Sequence, residues 1–292
     1  MGSAIANNVD RNVANVGQKT NDTSKPFASA TEGIRSNLLA HRKESFTPSP
    51  HRLARVVPAS PALAFAHSPF PAPRLRSAAA REDHVMLKIY GRSNSINVRK
   101  VLWIADEIGL AYHREDWGRG FRPTSDPEFL KLNPMGLVPV IDDDGFILRE
   151  SNTIIRYVAA KHGRTDLYPA ALQARAQVEA WMDWASADLY TGARPAFLGL
   201  YVKMPAFQDA KLIESGIDDW TKQMALLDRQ LANRGPYLMG PSFTLADVPA
   251  GLIVNRWFTL EFKKPELKAA AAYYDRLAER PAYRAHGRNG MP

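Results

Sequence analysis

The hydrophobic pattern of this chain changes period once, near residues 164–170, and that switch limits the fold more than any other feature. Ahead of it, short strands alternate with amphipathic helices. Beyond it, every apolar run has helical spacing and no strand pattern survives. Two layer types in series are expected, an α/β domain over 86–164 and an all-helical domain over 171–292.

The first domain reads strand–helix–strand–helix–strand–strand–helix in about 80 residues. "HVMLKIYG" at 84–91 is a strand. In "SINVRKVLWIADEIGL", Val98, Val101, Leu102, Ala105 and Ile108 recur at helical spacing, with Ser95 as N-cap and Gly109 closing the run. "AYHREDW" is a second strand and "DPEFLKL" a short helix. "GLVPVI" and "GFILRE" flank the turn "DDDG" as a hairpin. "SNTIIRYVAAKHG", 151–163, is a helix that Ser151 should cap.

Residues 1–85 break this logic. Their prolines are too frequent for a helix, and their Ala, Ser, Pro, Asn and Arg content predicts a disordered extension. Three origins compete for it: a natural tail, an arginine-rich organelle-targeting peptide, or a mis-set start ahead of Met86. The charge balance separates the extension from the rest. Residues 1–81 hold 11 of the 38 Lys and Arg but 4 of the 30 Asp and Glu, so the net charge of +8 lies almost wholly there. A phosphate-binding groove, and hence a nucleic-acid partner, is not expected in the folded part. No run approaches the roughly 18 apolar residues of a membrane helix. The chain has no cysteine, which excludes disulfides, thiolate metal ligands and a protein cysteine nucleophile. His113, His162 and His286 lack ligand spacing, so no metal is expected.

One residue contradicts the strand reading. Pro139 sits inside "NPMGLVPVI" (133–141), and proline has no N–H for a strand ladder. That word, followed by "ESNTIIRYVA" (150–159) and by "SFTLADVPAG" (242–251), resembles the cytosolic glutathione transferase family. "IYGRSNSINVRKVLW" and "EAWMDWA" look like bacterial members of it. The resemblance covers residues 86–290. It implies a thioredoxin-like N-terminal domain joined to an all-α C-terminal domain, and a cis bond at Val138–Pro139 that turns the Val138 main chain toward a docked peptide.

The resemblance also implies a site. Glutathione, as co-substrate, would lie along Leu137, Val138 and Pro139. Ser151 would take its γ-glutamyl carboxylate and Glu150 its ammonium, with Asn133 as a further hydrogen-bonding group. Many relatives carry a lysine where this chain has Leu137, so the charge for the glycyl carboxylate must come from elsewhere; Arg119, Arg122 and Lys131 are nearby. Ser95 stands six residues before Val101, the spacing of serine-type relatives, and is the first candidate to stabilise the thiolate. Ser93 and Asn94 are alternates, Asn97 is a supporting donor, and Tyr90 lies too early. Arg194 is a second candidate, because Asp183, Ala187, Tyr190 and Arg194 share a helix face that would look onto the cleft. Trp181, Met182 and Trp184 read as core. Thr244 and Asp247 have the capping-box form and serve folding.

The implied activity is conjugation of glutathione to a small electrophile by a cytoplasmic homodimer. A glutathione-dependent disulfide or peroxide reductase is the alternative within enzymes. A non-catalytic binding module is the alternative outside them.

Overall fold

The computed structural model describes residues 86–290. The extension expected over 1–85 lies outside the described residues.

Four short strands form one mixed sheet in the order β2-β1-β3-β4. β1 (Leu87–Tyr90) runs parallel to β2 (Tyr112–Glu115), with Leu87 opposite Tyr112. On its other side β1 meets β3 (Val140–Asp143) antiparallel, Ile89 opposite Ile141. β3 turns into β4 (Phe146–Arg149) through Asp144 and Gly145. Both have positive φ, 55° and 85°, the geometry of a two-residue turn that matches the strand twist. The Asp142 carboxylate accepts from the Gly145 N–H at 2.7 Å and fixes that turn.

Alternation along the strands separates two faces. Leu87, Ile89 and Ile141 are buried against α1 (Ile96–Glu107) and α3 (Ser151–Lys161) in the main core. Val140 points the other way and packs with Trp117 and with Phe129 of α2 (Pro127–Leu132) in a small second cluster. Both long helices end on glycines with positive φ, Gly109 at 69° and Gly163 at 64°. A bond from the next residue back to the last turn closes each, Leu110 N–H to Ala105 C=O and Arg164 N–H to Ala159 C=O.

The second half is helical throughout. α4 (Leu172–Trp184) continues through a π-helical turn (Ala185–Leu189) into α5 (Tyr190–Leu200). α6 (Ala210–Arg234), α7 (Asp247–Thr259), α8 (Lys268–Leu277) and α9 (Pro281–His286) follow. The last apolar run holds two helices, because Pro281 has no N–H to continue the ladder and opens α9 instead.

α1 is held from both sides. Its Trp103 packs on Tyr283 of α9, ring centres 4.7 Å apart. Its Arg99 donates to the carbonyls of His286 and, at 2.6 Å, Gly287. At the start of α7, Asp247 serves folding as expected, although Ala246 holds the cap position and the Thr244 hydroxyl accepts from the Ala246 N–H. Its fully buried carboxylate accepts from the N–H groups of Leu238 (3.0 Å) and Thr244 (2.9 Å), and from the Tyr273 hydroxyl at 3.1 Å.

Candidate functional site

Pro139 does not begin a strand. The ladder starts one residue later, at Val140, and the Val138–Pro139 bond is cis. The missing N–H therefore costs the sheet nothing. The preceding loop is braced by Asn133, which ends α2. Its Nδ2 donates to the Leu137 carbonyl at 2.7 Å, and its Oδ1 accepts from the Met135 N–H at 3.1 Å. Asn133 thus shapes the loop with the groups it was expected to offer a ligand.

Beside this loop opens a small hollow that is partly open to solvent. Asn97 lines it from the first turn of α1, and Asn133, Leu137, Val138 and Pro139 from the loop. Glu150 and Ser151 line it from the junction of β4 and α3. Two helix N-termini therefore border one concavity, and their free N–H groups favour an anion there.

The α3 junction differs from the sequence reading. Ser151 does not cap α3; it is the first helical residue, and Glu150 holds the cap position without capping through its side chain. Glu150 has φ 71° and ψ 110°, a conformation L-residues rarely hold, costing of order 1–3 kcal/mol. The Ser151 hydroxyl is left to face the hollow's floor. It donates to Asn97 Oδ1 at 3.3 Å and accepts from Lys100 Nζ at 3.4 Å.

Lys100 has no place in the sequence reading. It lies one turn into α1, 7% exposed, and burial pulls its ammonium down to about 8. Arg256 of α7 pushes in the same direction and Glu150 opposes both. The available hint was "RK" inside a helix whose neighbours are nearly all apolar. Helical spacing alone would have put one of the two cations in the core.

Ser95 occupies the N-cap of α1 but makes no side-chain capping bond, and it is not among the residues lining the hollow. Its neighbour Asn97 is. Ser93 and Asn94 are exposed, and Asn94 Oδ1 accepts from Arg92 at 2.6 Å. Gly91 brings the end of β1 against both walls. A Cβ there would meet Val98 Cγ2 at 2.5 Å and Val138 Cβ at 3.1 Å.

Arg194 is not at the hollow. Its guanidinium lies over the Phe207 ring, 5.1 Å from the centroid. A π turn lies between Asp183 and Arg194, and the expected shared face assumed an unbroken α-helix. Asp183 instead pairs with Arg156 at 2.9 Å, and Asn152 of α3 donates to Ser186 in the π turn at 2.9 Å. Nor do the loop cations line the hollow. Arg122 stacks on Trp117, 3.8 Å from the ring centroid, and pairs with Glu128 at 2.7 Å, while Arg119 and Lys131 are exposed. Leu137 forms an apolar, half-exposed rim.

The comparisons with known proteins agree with this architecture. Residues 94–161 match the family model described as "Glutathione S-transferase, N-terminal domain". Glutathione S-transferase GstB of Escherichia coli (strain K12) is 35% identical over 201 residues, spanning 68% of this chain and 96% of that protein. Glutathione S-transferase 3 of Zea mays is 32% identical over 205 residues, 68% of this chain and 91% of that protein. The crystal structure of the theta class glutathione S-transferase from Xanthomonas axonopodis pv. citri with glutathione bound is 38% identical. It superposes with a TM-score of 0.65, covering 69% of this chain and 96% of that one. The chain therefore belongs to the glutathione S-transferase family.

Proposed function

We propose that the hollow beside Val138 and the α3 N-terminus binds glutathione and presents its thiol at the tip of α1. The chain is a glutathione transferase, an enzyme that joins the glutathione thiol to an electrophile. The single observation that carries the binding site is the convergence of Val138, Glu150, Ser151 and Asn97 on one concavity between two helix N-termini.

In this reading the peptide backbone of glutathione runs beside Val138. Its γ-glutamyl carboxylate meets Ser151 and the first N–H groups of α3, and Glu150 takes its ammonium. Asn133 holds the loop and Leu137 covers the cysteinyl–glycyl portion. The Ser95 hydroxyl, which does not cap α1, donates to the thiolate, with Asn97 as second donor. Arg194 takes no part.

The chemistry needs no strong base. A thiol with a pKa of about 8.5 is roughly 3% ionised at pH 7; at about 6.5 it is roughly three-quarters ionised. That shift requires about 2.7 kcal/mol. One charge-assisted hydrogen bond supplies about 1.5–3 kcal/mol, and the helix dipole adds to it. The thiolate then attacks the electrophile and the leaving group departs.

We place the glutathione-binding domain at 86–164 and the helical domain at 171–292. We also propose a cytoplasmic homodimer, since Phe146 and Ile147 on edge strand β4 and Leu172 at the start of α4 expose apolar surface suited to a second copy. Among the described residues no helix is long and apolar enough to cross a membrane.

Ser95→Ala tests the mechanism. Turnover of a halonitrobenzene should fall roughly a hundred-fold while glutathione affinity is nearly kept, with the bound thiol's pKa rising by a unit or more, read by thiolate absorbance. An unchanged pH–rate profile would refute the role of Ser95. Faster turnover of a hydroperoxide or mixed disulfide than of any halide would refute the transferase chemistry.

A further inference from the structure

We infer that Lys100 is a positioning residue for the substrate carboxylate received at the α3 N-terminus. It fixes the direction of the Ser151 proton and adds a buried positive charge directly behind that subsite. The inference rests on the glutathione reading above.

An ammonium only donates, so at the 3.4 Å contact Ser151 Oγ must accept. The hydroxyl then has one proton, which must point away from Lys100. It goes to Asn97 Oδ1 at 3.3 Å. Both contacts are long, so turning that proton onto a carboxylate entering the hollow costs little. With Lys100 absent, the hydroxyl could rotate freely and a lone pair could face the incoming anion.

Charge gives the second, independent line. Among the described residues, no carboxylate comes within 4.0 Å of the Lys100 ammonium. A buried ammonium without a counter-charge is expensive, and a lysine serving only as packing would send its head to water. The nearby charged groups are Glu150 at the head of α3 and Arg256 from α7. Arg256 is itself occupied on the Phe197 ring at 3.6 Å, and it adds positive charge. An anion entering beside Ser151 is the missing partner.

The test is calorimetric titration of full-length wild type, Lys100→Met, Ser151→Ala and the double variant. Two ligands are used: glutathione, and the tripeptide analogue in which 4-aminobutyrate replaces the γ-glutamyl residue and so lacks its α-carboxylate. Lys100→Met should weaken glutathione binding about 10–100-fold. It should leave binding of the analogue within about two-fold, because the carboxylate it serves is gone. In the Ser151→Ala background the part of its effect that runs through the hydroxyl should vanish and the part due to its charge should remain, so the two substitutions should be less than additive. Glutathione binding unaffected by Lys100→Met overturns the inference. An equal loss for both ligands also overturns it, because that marks a general disturbance of the fold. Failure of the wild type to bind glutathione at millimolar concentration instead overturns the glutathione reading itself.

Discussion

A lysine kept for a ligand should be a liability to the empty protein, and Lys100→Met measures that liability. The ammonium ordinarily titrates near 10.5 and in the fold is pulled down to about 8, chiefly by burial. A gap of about 2.5 units corresponds to about 3 kcal/mol held against the folded state wherever the lysine is charged. The sign follows from proton binding. Below about pH 8 both states carry the proton and the full cost is present. Between 8 and 10.5 the unfolded chain binds more protons than the folded one, so wild-type stability should rise with pH through that window. Methionine keeps most of the stem's volume and removes the charge; losing the long bond to Ser151 gives back about 1 kcal/mol. Lys100→Met should therefore be more stable than wild type by about 2 kcal/mol at pH 7, or about 4–8 °C in Tm for a domain of this size. The gap should close as the pH approaches 10. Urea denaturation of both proteins at pH 7, 8.5 and 10 reads this directly. A Lys100→Met protein less stable than wild type at pH 7, or a gap indifferent to pH, would refute the reasoning and make Lys100 a structural residue.

Two further substitutions probe the scaffold. Gly91→Ala places a Cβ 2.5 Å from Val98 Cγ2 at a residue with φ 150°, so α1 or the Val138 loop must shift; a loss of about 1–3 kcal/mol in urea and weaker glutathione binding are expected, and unaltered affinity would contradict the close approach. Asp247→Ala leaves the buried N–H groups of Leu238 and Thr244 without their acceptor and should cost about 3 kcal/mol or more. Burial raises the Asp247 carboxyl to about 6, so in wild type the folded state holds its proton longer and this residue's contribution to stability should fall as pH rises from 3.8 to 6. The variant should lack that component of the pH profile.

The fold was legible where local chemistry dictated it. Asp144–Gly145, Gly109 and Gly163 stand where positive φ is required, and each marks a true boundary. The two periods separated the sheet half from the helical half because side-chain direction alone sets them. What failed depends on tertiary placement. Ser151 has the composition of a cap, yet the turn into α3 gave that position to Glu150, and no local rule reveals it. The π turn at Ala185–Leu189 leaves no trace in composition, yet it interrupts the regular helix on which the Arg194 expectation was built. Helical spacing put a cation of "RK" in the core, but a helix lysine is normally solvated and nothing local marks Lys100 as one that is buried beside Ser151. Thus the loop and helix-tip residues of the hollow could be named from sequence, while the charge beneath them could not.

In the proposed site glutathione's γ-glutamyl carboxylate sits at the head of α3 beside Val138. A crystal structure of the protein grown with glutathione tests it most directly. The account predicts a carboxylate oxygen about 2.7–3.2 Å from Ser151 Oγ, with the Ser151–Asn97 contact opened and the peptide running along Val138. Glutathione bound elsewhere, or bound in this hollow with its other end at Ser151, would contradict it.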